Sequence, residues 1–255
     1  MSRFRKGLLI FSLAVSIFGV YLAYYYLPQG IPVLAYHKVS NDDSIYSIDP
    51  DLFERQMQYL AENGYTTLTL SQLSAGLNEP ETLPPKPVVI TFDDGYTDNY
   101  TTALPIMKKY GMRGAIFITT DRVGQPGYLT WEQINTLQSY GIDIGSHTIS
   151  HRPLPSIPSA EWQQEIRVSK AMLDQNLAKP ITFLAYPHGA YTSSMLSFIK
   201  ESGYQGAFTG ATGLNFKNNN SYELKRISIL RSSFDLWNFR LRLTKANLYS
   251  LVANK

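Results

Sequence analysis

Four amphipathic segments of this 255-residue chain stop at a glycine, at Gly64, Gly111, Gly141 and Gly203, and an apolar, extended-looking run follows each. Glycine just past a helix is the usual left-handed cap, so each marks a helix giving way to a strand. Before Gly64, Phe53, Met57, Leu60 and Ala61 share one helical face, with Glu54, Arg55, Gln58 and Glu62 elsewhere. A later segment sets Trp162, Ile166 and Leu173 on a common side. Strand candidates are Pro32 to Tyr36, Thr66 to Leu70, Val88 to Phe92, Gly114 to Ile118, Ile142 to Ile144, Thr182 to Ala185, Gly206 to Phe208 and Ile227 to Leu230. Strands alternating with helices predict an α/β fold with parallel pairing and crossover helices. About seven or eight such units in one domain favour a barrel over an open sheet, and barrel chemistry gathers at the C-terminal ends of the strands.

Four polar clusters follow predicted strands: His37, the pair Asp93-Asp94 with Gly95, the stretch His147-Thr148-Ile149-Ser150-His151, and Tyr186-Pro187-His188-Gly189. One carboxylate and two imidazoles are common ligands of a hydrolytic metal site that leaves a position open for water. A second carboxylate beside the ligand can serve as the base. His147 and His151, spaced i, i+4, would share one side of a helical turn. The bland reading is that they cap or decorate a loop, and Asp-Gly is itself a frequent turn. Adjacent strand residues point to opposite faces, so both aspartates reach one site only if the strand ends there, which Gly95 permits. The spacing alone does not say which aspartate would bind a metal.

Arg3, Arg5 and Lys6 precede an uncharged run from Gly7 to Leu27, long enough as a helix to cross a bilayer. Residues 1–30 are expected to be a membrane anchor with the basic flank in the cytoplasm and residues 31–255 outside. A cleaved signal segment is the alternative, disfavoured by Tyr24, Tyr25 and Tyr26 where small residues would be wanted. Beyond that segment the 20 acids are matched by equal basic residues, so no nucleic-acid footprint is expected. With no cysteine, disulfides, thiolate ligands and a cysteine nucleophile are excluded.

Thr91-Phe92-Asp93-Asp94-Gly95, Ser146 to His151 and Tyr186-Pro187-His188-Gly189 together resemble the polysaccharide deacetylases of the NodB homology fold, carbohydrate esterase family 4. The similarity covers most of the chain after about residue 31. It implies a distorted (β/α) barrel of about seven strands, behind the N-terminal transmembrane helix. By the same resemblance Asp93 is the catalytic base, and Asp94, His147 and His151 hold a divalent metal. Zinc suits that set, with Co2+, Ni2+ or Fe2+ possible.

The chain departs from the family pattern twice. Ala185 stands where members carry the arginine that orients the base, and Arg226 is the candidate replacement. No histidine follows His188, so the general acid is expected to be His37, with His188 as competitor and as donor of a backbone N–H to the oxyanion. The segment around His37, with Phe53 to Met57 and Glu62 to Tyr65, resembles the subgroup that deacetylates poly-β-1,6-N-acetylglucosamine. Candidate substrate contacts are Tyr96, Tyr186, Pro187 and Arg226, with Tyr100, Trp131 and Tyr191 as further aromatics able to stack on sugars. A monomer acting on an extracellular N-acetylated polysaccharide is the expectation. The alternatives are peptidoglycan or chitooligosaccharide deacetylation, O-acetyl ester hydrolysis, or a catalytically dead glycan-binding module.

Overall fold

A computed structural model describes residues 11, 12, 15, 18, 19, 30–231 and 235–243. Among the described residues eleven strands run in chain order: β1 (Ile31–Tyr36), β2 (Lys38–Val39), β3 (Ser47–Ile48), β4 (Thr66–Thr67), β5 (Pro87–Phe92), β6 (Ala115–Ile118), β7 (Asp143–Ser146), β8 (Phe183–Ala185), β9 (Gly206–Phe208), β10 (Leu214–Asn215) and β11 (Ile227–Ser228). The helices between them are α1 (Pro50–Glu62), α2 (Leu70–Asn78), α3 (Leu104–Lys109), α4 (Trp131–Ser139), α5 (Ser169–Asn176) and α6 (Ser193–Glu201). Strands β1, β5, β6, β7, β8 and β9 pair in that order, all parallel. Leu224 bridges to Phe208 of β9, and three residues on, Ile227 and Ser228 of β11 pair parallel with Leu34 and Ala35. The segment from Leu224 to Ser228 therefore joins both ends of the sheet and closes a distorted barrel.

Residue parity along the strands separates inside from outside. Val33, Val89, Phe117, Phe183, Ala185 and Phe208 pack together as the barrel interior, with Leu70, Leu73 and Leu77 of α2 in the same cluster. The N-terminus of α2 is held by the Asp143 carboxylate, which accepts the Leu70 N–H at 2.7 Å. Asp143 opens β7, so α2 plugs the N-terminal end of the barrel and leaves the other end free for chemistry. Leu34, Ile90, Ile116 and Leu184 face outward onto Phe53, Met57 and Leu60 of α1, Leu137 of α4 and Ile199 of α6.

Local signals explain the elements. In α1, Pro50 takes the first helical turn and the Asp49 carboxylate caps the Leu52 N–H at 3.0 Å. Gly64, Gly111, Gly141 and Gly203 all sit at positive φ just past their helices, as expected. The predicted strand from Thr66 to Leu70 shrinks to two residues. Thr69 instead forms a capping box with Gln72, which begins α2 one residue later. Ile166 and Leu173 are fully buried, but the segment carrying them opens as π-turns at Gln163–Val168 before α5, and Trp162 is only half-buried against the core. Among the described residues no helix is long and apolar enough to cross a membrane. The anchor expected at residues 1–30 lies almost wholly outside them.

Candidate active site

The four polar clusters meet at the C-terminal mouth of the barrel. The Asp93 N–H still pairs with the Tyr36 carbonyl at 3.0 Å, extending β5 by one residue and aiming its carboxylate inward. Asp94 (φ 76°) and Gly95 (φ 80°) then turn left-handed in succession. Aspartate tolerates that region better than most residues, and the turn cancels the strand alternation that would have sent Asp94 outward. Both carboxylates end up buried in one pocket.

Their surroundings differ. Arg226, itself buried, forks onto Asp93, Nη1 to Oδ1 at 2.7 Å and Nη2 to Oδ2 at 2.8 Å. Burial works against the Asp93 charge, but Arg226, with His147 nearby, overcomes it and holds the carboxyl well below the usual range. Asp94 Oδ1 has no hydrogen-bond partner although it is buried. Instead it faces His151 Nε2 at 3.3 Å and His147 Nε2 at 3.8 Å.

The two imidazoles are held differently. His147 continues β7, donating its N–H to Ile118 O at 2.8 Å. Its Nδ1 lies 2.7 Å from Ala185 O, and a carbonyl can only accept, so Nδ1 carries a proton and Nε2 is the nitrogen turned to the pocket. The expected helical turn is absent: residues 147–151 form a loop in which Thr148 (φ 68°) and His151 (φ 60°) are left-handed. Burial and the neighbouring His147 push His151 below its ordinary range, to about 4. The ligand atoms of Asp94, His147 and His151 all lie within 4.8 Å of one another. An orphaned buried carboxylate oxygen and two imidazole nitrogens facing it are a donor set that fits a divalent ion.

His37 follows β1 at the rim, its Nδ1 buried without a partner and its ring 4.7 Å from that of Tyr46. Burial lowers its basicity, while Asp93 and Asp94 pull in the opposite direction. His188 is exposed, left-handed at φ 57°, and its ring lies 4.6 Å from that of His151. The loop beneath it is tight: a Cβ on Gly189 would meet Gly210 N at 2.2 Å.

Three expected substrate contacts need correction. Tyr186 is fully buried, stacked on Tyr191 at 5.0 Å with its hydroxyl donating to Tyr222 O at 3.0 Å, so its ring has no face for a sugar. Pro187 is buried as well. Arg226 is spent on Asp93 inside the barrel. Tyr96 keeps its candidacy: half-buried, it stacks on Tyr128 at 5.0 Å, and burial together with the Asp94 charge raises its hydroxyl. Tyr100, Trp131 and Tyr191 are half-buried against the core. Two residues at the site had no sequence signal. Asn99 donates to His37 O at 2.8 Å from the first position of a π-turn, and Arg122 Nη1 lies 3.8 Å from Asp94 Oδ1. Only the tertiary fold brings them there.

Comparison with known proteins agrees with this geometry. The sequence profile described as polysaccharide deacetylase matches residues 81–207. A Bacillus subtilis protein, YxkH, provisionally named a polysaccharide deacetylase, is 37% identical over 202 residues, covering 79% of this chain and 72% of the relative. A poly-β-1,6-N-acetyl-D-glucosamine N-deacetylase of Staphylococcus epidermidis is 25% identical over 231 residues, covering 79% and 80% respectively. Among solved structures, the Streptococcus pyogenes deacetylase PplD in complex with acetate superposes with a TM-score of 0.78 at 29% identity, covering 85% of this chain and 99% of that one.

Proposed function

Because this chain belongs to the polysaccharide deacetylase family, we propose that it hydrolyses N-acetyl groups from N-acetylglucosamine residues of an extracellular polysaccharide, poly-β-1,6-N-acetylglucosamine in the first instance. The observation that carries the reading is the unequal treatment of two neighbouring carboxylates: both oxygens of Asp93 are taken by Arg226, while Asp94 turns an unpartnered buried oxygen, Oδ1, toward two imidazoles. A base and a metal ligand need those two environments.

Asp94, His147 and His151 would hold the ion, and zinc matches the donors best, with cobalt, nickel or iron also compatible. Such an ion supplies Lewis acidity, polarising an acetyl carbonyl and bringing the pKa of water down to roughly 7. Asp93, kept anionic by Arg226, takes the proton from the attacking water. The left-handed turn at His188 leaves its backbone N–H as a candidate donor to the tetrahedral oxyanion. Protonated His37 delivers a proton to the nitrogen as the C–N bond breaks, so the leaving group departs as an amine rather than an amide anion. The products are acetate and a free amino sugar.

The substrate assignment rests on the segment around His37 and on the Staphylococcus epidermidis relative. The basic residues before Gly7 and the uncharged run to Leu27 support a single-pass anchor with the catalytic domain outside the cell. The test is acetate release from poly-β-1,6-N-acetylglucosamine, peptidoglycan fragments and chitooligosaccharides, with metal content measured in parallel. Turnover confined to one of the latter two would move the substrate, and binding without turnover in metal-saturated protein would leave a glycan-binding module.

A further inference from the structure

The loop carrying the proposed metal ligands is built on backbone that would not hold itself. Thr148 and His151 are both non-glycine residues at positive φ. Thr148 is β-branched, for which that region is a genuine outlier. Such conformations persist only where surrounding structure over-determines them. His147 is secured by β7 and by Ala185 O, but His151 has no comparable anchor of its own. Its N–H reaches only as far as Thr148 Oγ1, at 3.2 Å within the same loop.

The missing anchor comes from the opposite layer. Glu165, 2% exposed, lies in the π-turn segment Gln163–Val168 that leads into α5. One carboxylate oxygen accepts the N–H groups of Ile149 at 3.1 Å and Ser150 at 3.0 Å. The other accepts the Ser150 hydroxyl and Arg152 Nη2, the latter at 3.0 Å. Four residues further on, Ser169 Oγ meets Ser146 Oγ at 2.8 Å, and Ser146 Oγ in turn accepts the Thr148 N–H at 3.1 Å. Two of the three backbone N–H groups between the histidines are therefore satisfied by one buried carboxylate. A buried acid accepting at both oxygens from a single loop is a clamp on that loop's shape.

We propose that Glu165 is the positioning residue of this site: it fixes Ile149 and Ser150 in the conformation that turns His151 toward Asp94 and His147. It touches neither substrate nor metal, and it acts through His151 alone. The inference rests on the reading of Asp94, His147 and His151 as metal ligands, and the test keeps the two apart.

Co2+ binding to the full chain, followed by visible absorption, is measured for wild type, Glu165→Gln, His151→Ala and the double variant, with folding checked by circular dichroism. Glutamine keeps the shape but removes the charge and one accepting oxygen, so its NH2 faces either the two backbone N–H groups or the Arg152 guanidinium, all of which can only donate. Glu165→Gln is expected to weaken Co2+ binding roughly 10–100-fold, the range seen when groups supporting a ligand are lost. In the His151→Ala background the same change should alter affinity by less than about twofold, because the residue it positions is gone. A general loss of stability would not reproduce that dependence. Unchanged affinity in Glu165→Gln, or an equal loss in both backgrounds, overturns the proposal. Should Glu165→Gln fail to fold, Ser150→Ala removes one donor from the solvent side of the clamp. A loss of roughly threefold is then expected, and none overturns the proposal. A wild-type chain that binds no Co2+ sinks the metal-site reading itself, whereas normal wild-type binding with an indifferent variant sinks the clamp alone.

Discussion

Arg226 and Asp93, 133 residues apart in sequence, are locked fork to fork inside the barrel mouth, both all but inaccessible to solvent. Two parallel N–H···O bonds fix the carboxylate plane as well as its charge. Arg226→Ala leaves a buried anion unopposed and should cost about 3–5 kcal/mol at neutral pH. Since the native pair depresses Asp93, its contribution is complete above the ordinary aspartate range near 4 and is lost as pH falls below it. Urea unfolding at pH 7 and pH 4 should show the gap between variant and wild type narrowing at the lower pH, where the variant relieves its charge by protonation.

Asp93→Asn should keep its metal and lose turnover by about 10²–10⁴-fold, the usual contribution of a general base. Metal analysis beside acetate release checks it. A fully active, metal-replete variant would reverse the roles given to the two aspartates.

His147→Ala should lose metal and activity together. A chelator should inactivate the wild type reversibly, with Zn2+ or Co2+ restoring acetate release to the wild type and not to the variant.

The two remaining histidines should separate cleanly. His37→Ala removes the proposed acid and should lower kcat by about 10²–10⁴-fold. His188→Ala, whose proposed donor is a backbone N–H, should change kcat by less than about tenfold, for that reason. Steady-state kinetics on one glycan, with both variants metal-saturated, reads the difference.

Asp98 gives a stability prediction. Burial raises its carboxyl to about 6, despite a backbone hydrogen bond at Val39 and the Lys38 charge that favour ionisation. A carboxyl raised above its unfolded value makes the fold less stable as pH climbs from about 4 to about 6. Asp98→Asn removes that liability. It should stabilise the protein by up to about 3 kcal/mol at pH 8 and by little at pH 4, as read from thermal unfolding at the two pH values.

Much of the barrel was legible because its signals are local. Gly64, Gly111, Gly141 and Gly203 each end a helix by a backbone requirement that is confined to a few neighbours. The Asp-Asp-Gly turn was legible for the same reason. Thr69 was misread because a β-branched residue beside a strand looks like more strand, and its capping role depends on Gln72 answering it. The spacing of His147 and His151 suggested a helical turn, yet a loop with two left-handed residues also brings i and i+4 together. Tyr186 read as a sugar contact because its motif follows a strand end, where the backbone faces the site while the ring packs into the core. Glu165 and Asn99 carry no spacing rule at all. Each is tied to its target only after α5 and the π-turns have docked.

Among the described residues the segment from Leu224 to Ser228 is the last in chain order to pair with the sheet, and it also carries Arg226. Closing the sheet and holding the base are thus tasks of one segment. A chain still being made, or one trimmed before that closing strand, could own every proposed metal ligand and yet leave its base unmoored. Half-built copies would then be chemically idle by construction.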